Sequence, residues 1–224
     1  MNLLRAVVVE DQPLVRDHLV ETLGRIEGVE VVGACENGMA AVDRIPELAP
    51  DLVPGLASAG YDLYSIEGME RLRDARTGFV AGRIAVVVAG LPFKCPAAPN
   101  EAAFLLEADL RRRGVRENCE IALYTPEPGP MPVAGPEVSA ALRAMLEARG
   151  IRYFPEHKLA AVDGGARRLA FANGVDAKFD LLAFVPPHRA PSAAREAGLL
   201  SESGWIAVDR ITLATRFPGV FAIG

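Results

Sequence analysis

The sequence predicts an α/β protein built on parallel sheets with flanking helices, and three observations predict it. Apolar, β-branched runs of strand length recur at 5–9 (RAVVV), 29–35 (VEVVGAC), 82–90 (GRIAVVVAG) and 119–126 (CEIALYTP). The run at 5–9 is continuous, as in a strand buried on both faces, and 82–90 reads as a strongly buried strand. Segments with helical periodicity separate them, and that alternation implies right-handed β-α-β crossovers.

Taken in order, 5–9 is the first strand. Residues 14–26 place Leu14, His18, Leu19, Thr22, Leu23 and Ile26 on one face, which predicts a helix. Residues 29–35 are a second strand, and 37–49 a second helix, entered through Asn37-Gly38 and disturbed by Pro46. Pro50-Asp51-Leu52-Val53 opens like a further strand but runs into Pro54-Gly55. A helix is expected over 65–79 and a strongly buried strand over 82–90. The helix over 100–114 has arginines in its last turn and Gly114 at its end, and another helix spans 137–150. Residues 151–187 hold short strands with Gly-Gly and Asn-Gly turns, and 204–224 finish in an apolar strand.

The chain has 224 residues, 50% hydrophobic, with a net charge of −5, enough for one large or two small domains. The acidic balance excludes nucleic acid as the main partner. Three cysteines, Cys35, Cys95 and Cys119, with no CxxC and three scattered histidines, are neither a disulfide framework nor a zinc site. No targeting or membrane-spanning segment is visible, so a reducing, cytoplasmic setting is expected.

Two stretches carry chemistry. Glu10 and Asp11 follow the first strand, at the edge where parallel sheets bind ligands. As a pair they can hold Mg²⁺ through oxygen ligands, or they are solvated caps. Residues 4–53, with RAVVVEDQPLVRDHLVETL and VEVVGACENGMAAVDRIPELAPDLV, resemble the first half of a bacterial response-regulator receiver domain. The resemblance implies Mg²⁺ at Glu10 and Asp11. It also implies a phosphoacceptor aspartate just after the third strand, where this chain has Pro54-Gly55 instead, so phosphoryl acceptance is expected to be lost.

The second stretch, 82–114, reads strand, turn, helix, but its turn is Gly90-Leu91-Pro92-Phe93-Lys94-Cys95-Pro96 rather than GxGxxG. Two prolines remove backbone donors that a phosphate cradle needs. What the turn presents is Cys95, beside Lys94 and near a helix N-terminus, both of which favour a thiolate; the other reading is a buried, inert cysteine. GLPFKCPAAPNEAA, LYTPEPGPMPVAGPEV, LLAFVPPHRAP and GLLSESGWIAVDRITLATRFPGVFAIG together resemble flavoproteins of the sulfide:quinone oxidoreductase and flavocytochrome c sulfide dehydrogenase group, over about 52–224. These belong to the pyridine nucleotide–disulfide oxidoreductase superfamily.

That resemblance implies a partial Rossmann-like FAD/NAD(P)-binding fold and FAD as cofactor. It makes Cys95 one of two redox cysteines, attacking or carrying sulfur and passing two electrons to the flavin. It places Lys94, Pro187, His188 and Gly224 at the cofactor, and implies sulfide or a thiol as substrate and a quinone or cytochrome as acceptor. The expected division is a receiver-like segment at 1–53, a connection at 54–81, an NAD(P)-binding-type domain at 82–150, and part of an FAD-binding domain at 151–224. The two resemblances meet at Leu52-Val53, as in a chimera or a misjoined frame. No GxGxxG follows the first strand; Glu10 and Asp11 stand there and would repel a diphosphate. The second redox cysteine is not recognisable, and Asn100 stands where an aromatic residue is expected. The reading is an incomplete or chimeric FAD-dependent oxidoreductase of the sulfide:quinone type, with weak or no FAD binding. The alternatives are a receiver-type signalling module and a folded, non-catalytic fragment.

Overall fold

The structure is a computed structural model and describes residues 4–9, 13–25, 29–35 and 53–223. It divides into two compact units, one formed by Asp51–His188 and the other by Met1–Pro50 with Arg189–Gly224.

The amino-terminal part follows the sequence closely. Strand β1 (Leu4–Val9), helix α1 (Pro13–Gly24) and strand β2 (Val29–Cys35) form a β-α-β unit, with β1 and β2 parallel from Leu4 opposite Val29 to Val9 opposite Cys35. The helix expected over 37–49 lies outside the described residues.

In the second unit, Val53 is not the continuation of a strand. It sits in a turn with its side chain buried, and its carbonyl accepts the Leu56 N–H at 3.2 Å. Pro54 accepts the Val162 N–H at 2.9 Å, and a Cβ on Gly55 would stand 2.1 Å from the Val162 carbonyl oxygen. Gly55 also has φ +79°, so the close approach and the left-handed backbone both require glycine there. A short helix α2 (Leu56–Ala59) leads to β3 (Tyr61–Asp62), two residues that carry too little pattern to be read as a strand.

Helix α3 (Ile66–Gly78) starts at Ser65, whose Oγ accepts the Gly68 N–H at 3.0 Å. Then β4 (Gly82–Val88), α4 (Ala98–Arg112), β5 (Cys119–Tyr124), α5 (Pro136–Ala148) and β6 (Ile151–Phe154) alternate as the sequence predicts. A three-stranded antiparallel meander, β7 (Leu159–Asp163), β8 (Arg168–Phe171) and β9 (Asp176–Lys178), precedes β10 (Leu181–Val185). The main sheet is parallel throughout, in the order β3-β10-β4-β5-β6.

Alternate residues of its central strands feed two cores. Ile84, Val86, Ile121, Leu123, Leu181 and Ala183 pack with Leu106, Leu110 and Leu146 of the helices. Ala85, Val87, Ala122, Tyr124, Leu182 and Phe184 pack instead with Val53, Leu56 and the meander's Val162, Leu169 and Phe171. Burial on both faces explains the continuous apolar runs. Arg83 and Asp180, 97 residues apart, set the β4–β10 register: the Arg83 guanidinium donates to both carboxylate oxygens at 2.9 and 3.2 Å, and the Asp180 N–H donates to the Arg83 carbonyl at 2.7 Å.

After His188 the first unit resumes with helix α6 (Ser192–Glu196). The apolar strand expected at the end of 204–224 is not a strand. Antiparallel bridges join Val208 to Thr215 and Ala214 to Phe221, and Ile223 is 89% exposed. Asp209 organises the turn instead, accepting from the Ile211 and Thr212 N–H groups and the Thr212 hydroxyl at 2.8–3.0 Å. Among the described residues, β1 has β2 as its partner, so it does not pair with Val220–Ile223.

Candidate active site

Strand order singles out the carboxyl edge of the five-stranded sheet. From β4 the chain proceeds outward through β5 to β6, whereas β10 lies on the other side of β4. The segments leaving β4 and β10 therefore diverge at a topological switch point, the ordinary ligand position in such sheets. Three segments meet at this edge: Ala89–Ala97 after β4, Pro186–His188 after β10, and Leu63–Ser65 after β3.

Cys95 occupies the turn that enters α4. It is exposed, has φ +55°, and its carbonyl accepts the Ala98 N–H at 2.9 Å. A non-glycine residue adopts that backbone region at a cost of about 1–2 kcal/mol, so something must hold it there. Tyr64 does. Its hydroxyl donates to the Lys94 carbonyl at 2.5 Å and lies 3.4 Å from the Cys95 carbonyl. Its ring meets His188 edge-on, with centroids 4.7 Å apart. Asp62 positions Tyr64 by accepting its N–H at 2.7 Å. Asp62, Tyr64 and the turn thus form one connected set.

The electrostatics follow from half-burial. Burial, and next the neighbouring Cys95, push the Tyr64 hydroxyl up to about 12, so it stays a donor. Burial raises the Asp62 carboxyl above its ordinary value. Burial lowers His188 below 6.5, with Lys94 adding to the effect. The His188 Nδ1 lies 2.8 Å from the Pro186 carbonyl, which can only accept. Nδ1 therefore carries the proton, and Nε2 is left as a base.

Of the sequence-derived residues, Cys95, Lys94, Pro187 and His188 converge here. Gly224, Glu10 and Asp11 lie outside the described residues. Asp62 and Tyr64 carry no signal in the sequence, because a two-residue strand followed by a turn has no period. Asn100 is 4% exposed, and its Nδ2 donates to the Pro96 carbonyl at 3.4 Å, beneath the cysteine turn; its Oδ1 has no hydrogen-bond partner among the described residues. Cys119 is buried in the helix-side core, with its thiol pushed up by that burial.

The donors present do not fit the pyrophosphate of a dinucleotide. The one glycine of the 90–96 turn, Gly90, packs on the protein's own Pro187: a Cβ there would lie 3.3 Å from the Pro187 Cβ. The α4 amino terminus is not bared by a glycine loop but covered by the Cys95 turn. At the β1–α1 junction the sequence offers two carboxylates and Pro13, with no glycine. Among the described residues no cluster of three metal-ligating side chains occurs, and nothing supports Mg²⁺. Nor is any helix among them long and apolar enough to cross a membrane.

No protein-family profile matches the chain. It is 34% identical over 139 residues to the mitochondrial sulfide:quinone oxidoreductase of Schizosaccharomyces pombe, covering 58% of this chain and 30% of that protein. The solved sulfide:quinone oxidoreductase of Aquifex aeolicus superposes with a TM-score of 0.59 at 17% identity, over 71% of this chain and 39% of that one. The chain resembles sulfide:quinone oxidoreductases. A smaller part, 51 residues and 23% of the chain, is 37% identical to a response regulatory protein of Yersinia pestis, covering 21% of it. Both resemblances stated from the sequence therefore stand, and the fold matches that of the first. The chain spans between 30% and 40% of the sulfide:quinone oxidoreductases it matches.

Proposed function

We propose that this chain is a sulfide:quinone-oxidoreductase-type module in which Cys95 carries sulfur, acting on sulfide or a low-molecular-weight persulfide. The observation that supports it most is the exposed Cys95 at the switch-point edge, held in a left-handed turn by Tyr64. In the proposed four-part division, the receiver-like segment ends near Val53 and the oxidoreductase part begins there. FAD is the electron acceptor in the resemblance, with a quinone or cytochrome beyond it. Because the residues present do not form its pyrophosphate site, the chemistry proposed for this chain alone is sulfur transfer. The Cys95 thiolate attacks the terminal sulfur of a persulfide R–S–SH. A Cys95–sulfur bond forms, the R–S–sulfur bond breaks, and R–S⁻ leaves; no external oxidant is needed. We assign the thiol proton to the Nε2 of His188, whose ring reaches this edge through its contact with Tyr64. The free cysteines fit the reducing, cytoplasmic setting that we propose.

Two measurements test this. Purified protein is incubated with glutathione persulfide and its peptides are weighed. One added sulfur on Cys95, none on Cys119 and none in Cys95→Ser is the expected result; labelling of Cys119 instead refutes the assignment. Separately, protein mixed with FAD and gel-filtered is expected to emerge colourless. A retained flavin band that bleaches with sulfide would overturn the reading of the pyrophosphate site.

A further inference from the structure

At the opposite, amino-terminal edge of the sheet, the ends of α4 and α5 border an open cavity of about 490 Å³, lined by Glu107, Ala108, Arg111, Arg112 and Arg149. That volume is within the usual range for small-molecule sites. Glu107 is fully buried at its base. Arg111 donates to its Oε1 at 2.9 and 2.5 Å; Oε2 has Arg149 as an ion-pair neighbour at 3.5 Å but no hydrogen-bond partner. Beside it, Asp109 is shared by Arg76, Arg112 and Arg113. Arg116 donates to the carbonyls of Cys119, Arg149 and Gly150 at 2.7–2.9 Å, and its Nε lies 3.7 Å from the Glu107 Oε1. Its role is to hold the wall, whereas Arg111, Arg112 and Arg149 remain 49–73% exposed. On a chain of net charge −5, this is a concentrated positive site.

We infer that this cavity binds a small organic phosphate that carries hydroxyl groups. Six arginines share two carboxylates here, Arg76, Arg112 and Arg113 on Asp109 and Arg111, Arg116 and Arg149 on Glu107, and the excess of four positive charges more than balances a phosphate monoester near neutral pH. Planar guanidinium forks suit phosphate oxygens, and exposed arginines lose little on meeting them. The Glu107 Oε2, an acceptor without a hydrogen-bond donor, is covered by the Arg149 guanidinium at 3.5 Å, and it becomes open to a hydroxyl on the same ligand once Arg149 turns to the phosphate. Bare phosphate at this pH has no comparable group placed beyond its own oxygens. The site lies at the opposite end of the strands from Cys95 and does not depend on the sulfur reading.

The test is calorimetry of the full chain in phosphate-free, low-salt buffer, with ribose 5-phosphate as probe and ribose and inorganic phosphate as comparisons. Ribose 5-phosphate is expected to bind and to weaken on adding salt. Inorganic phosphate should bind about tenfold more weakly and ribose not at all. Arg111→Gln and Arg149→Gln should each lose about tenfold, the size of one charged hydrogen bond. Arg152→Gln, which breaks an exposed pair with Glu120 outside the cavity, should bind as the parent does. Arg111→Gln also strips the buried Glu107 of its hydrogen-bond donor and should lower the melting temperature, so Arg149→Gln, with melting unchanged, carries the comparison. No binding of ribose 5-phosphate, equal affinity for inorganic phosphate, or an equal loss in Arg152→Gln would overturn the inference.

Discussion

Replacing Tyr64 by phenylalanine removes one oxygen and leaves the ring against His188. The oxygen is the tether on the Cys95 turn, through the Lys94 and Cys95 carbonyls. The left-handed backbone at Cys95 costs about 1–2 kcal/mol, and a net hydrogen bond returns about 0.5–1.5 kcal/mol. The two are matched in size, so the tether decides the conformation. Without it the turn's native state loses roughly fivefold in population against alternatives, the factor for about 1 kcal/mol. The assay is the alkylation rate of Cys95 by iodoacetamide, resolved by peptide mass spectrometry with buried Cys119 as internal reference. Tyr64→Phe should change the Cys95 rate several-fold, leave Cys119 alone, and lower the melting temperature by about 2–4 °C. Cys95→Gly removes the left-handed cost, so Tyr64→Phe added to it should destabilise less than it does alone. An unchanged Cys95 rate, or equal changes at both cysteines, would refute the tether.

Three further outcomes are expected. The Asp180 carboxyl is held down at about 2 by the Arg83 side chain and backbone N–H. A depressed carboxyl contributes stability above its unfolded value of 3.8 and loses it as pH falls toward 2, so Asp180→Asn should flatten acid denaturation between those pH values in urea titrations. Gly68→Ala puts a Cβ 2.2 Å from the Asp62 carbonyl oxygen and 2.7 Å from the capping Ser65 Oγ. It should destabilise by about 1–3 kcal/mol and disturb the Tyr64 turn, which thermal melts and Cys95 labelling would both register. Leu146→Ala, at a fully buried α5 position, should cost about 2–5 kcal/mol in chemical denaturation without altering Cys95 labelling.

Where the sequence was legible, a local period matched a burial pattern. Residues 84–88 and 121–124 are apolar at every step because successive side chains enter two different cores. The helices over 65–79, 100–114 and 137–150 emerged within two residues at either end, set by Ser65, by Pro99 and Pro136 in first turns, and by the basic end of α4. Residues 220–223 form no strand because an apolar run does so only if a neighbouring strand takes up its backbone groups, and their partners are turn residues: the Val220 carbonyl accepts the Thr215 N–H at 2.9 Å and the Ala222 N–H donates to the Leu213 carbonyl at 3.1 Å. Cys95 stood out by its turn, whereas Tyr64 did not, since its partner carbonyls lie 30 and 31 residues away.

The amino-acid order by itself determined the α/β class, the succession of strands and helices, and the cysteine-bearing turn, because each depends on patterns within a dozen residues. Only the tertiary structure decided that β10 would insert beside β4 rather than follow β6. That insertion depends on a contact across 97 residues and on which faces remain to be buried. It brings His188 to Tyr64 and Tyr64 to the Cys95 turn. At the other edge, packing α4 against α5 gathers dispersed arginines around Glu107. Convergence of this kind is a property of strand order and helix packing, and no local period encodes it.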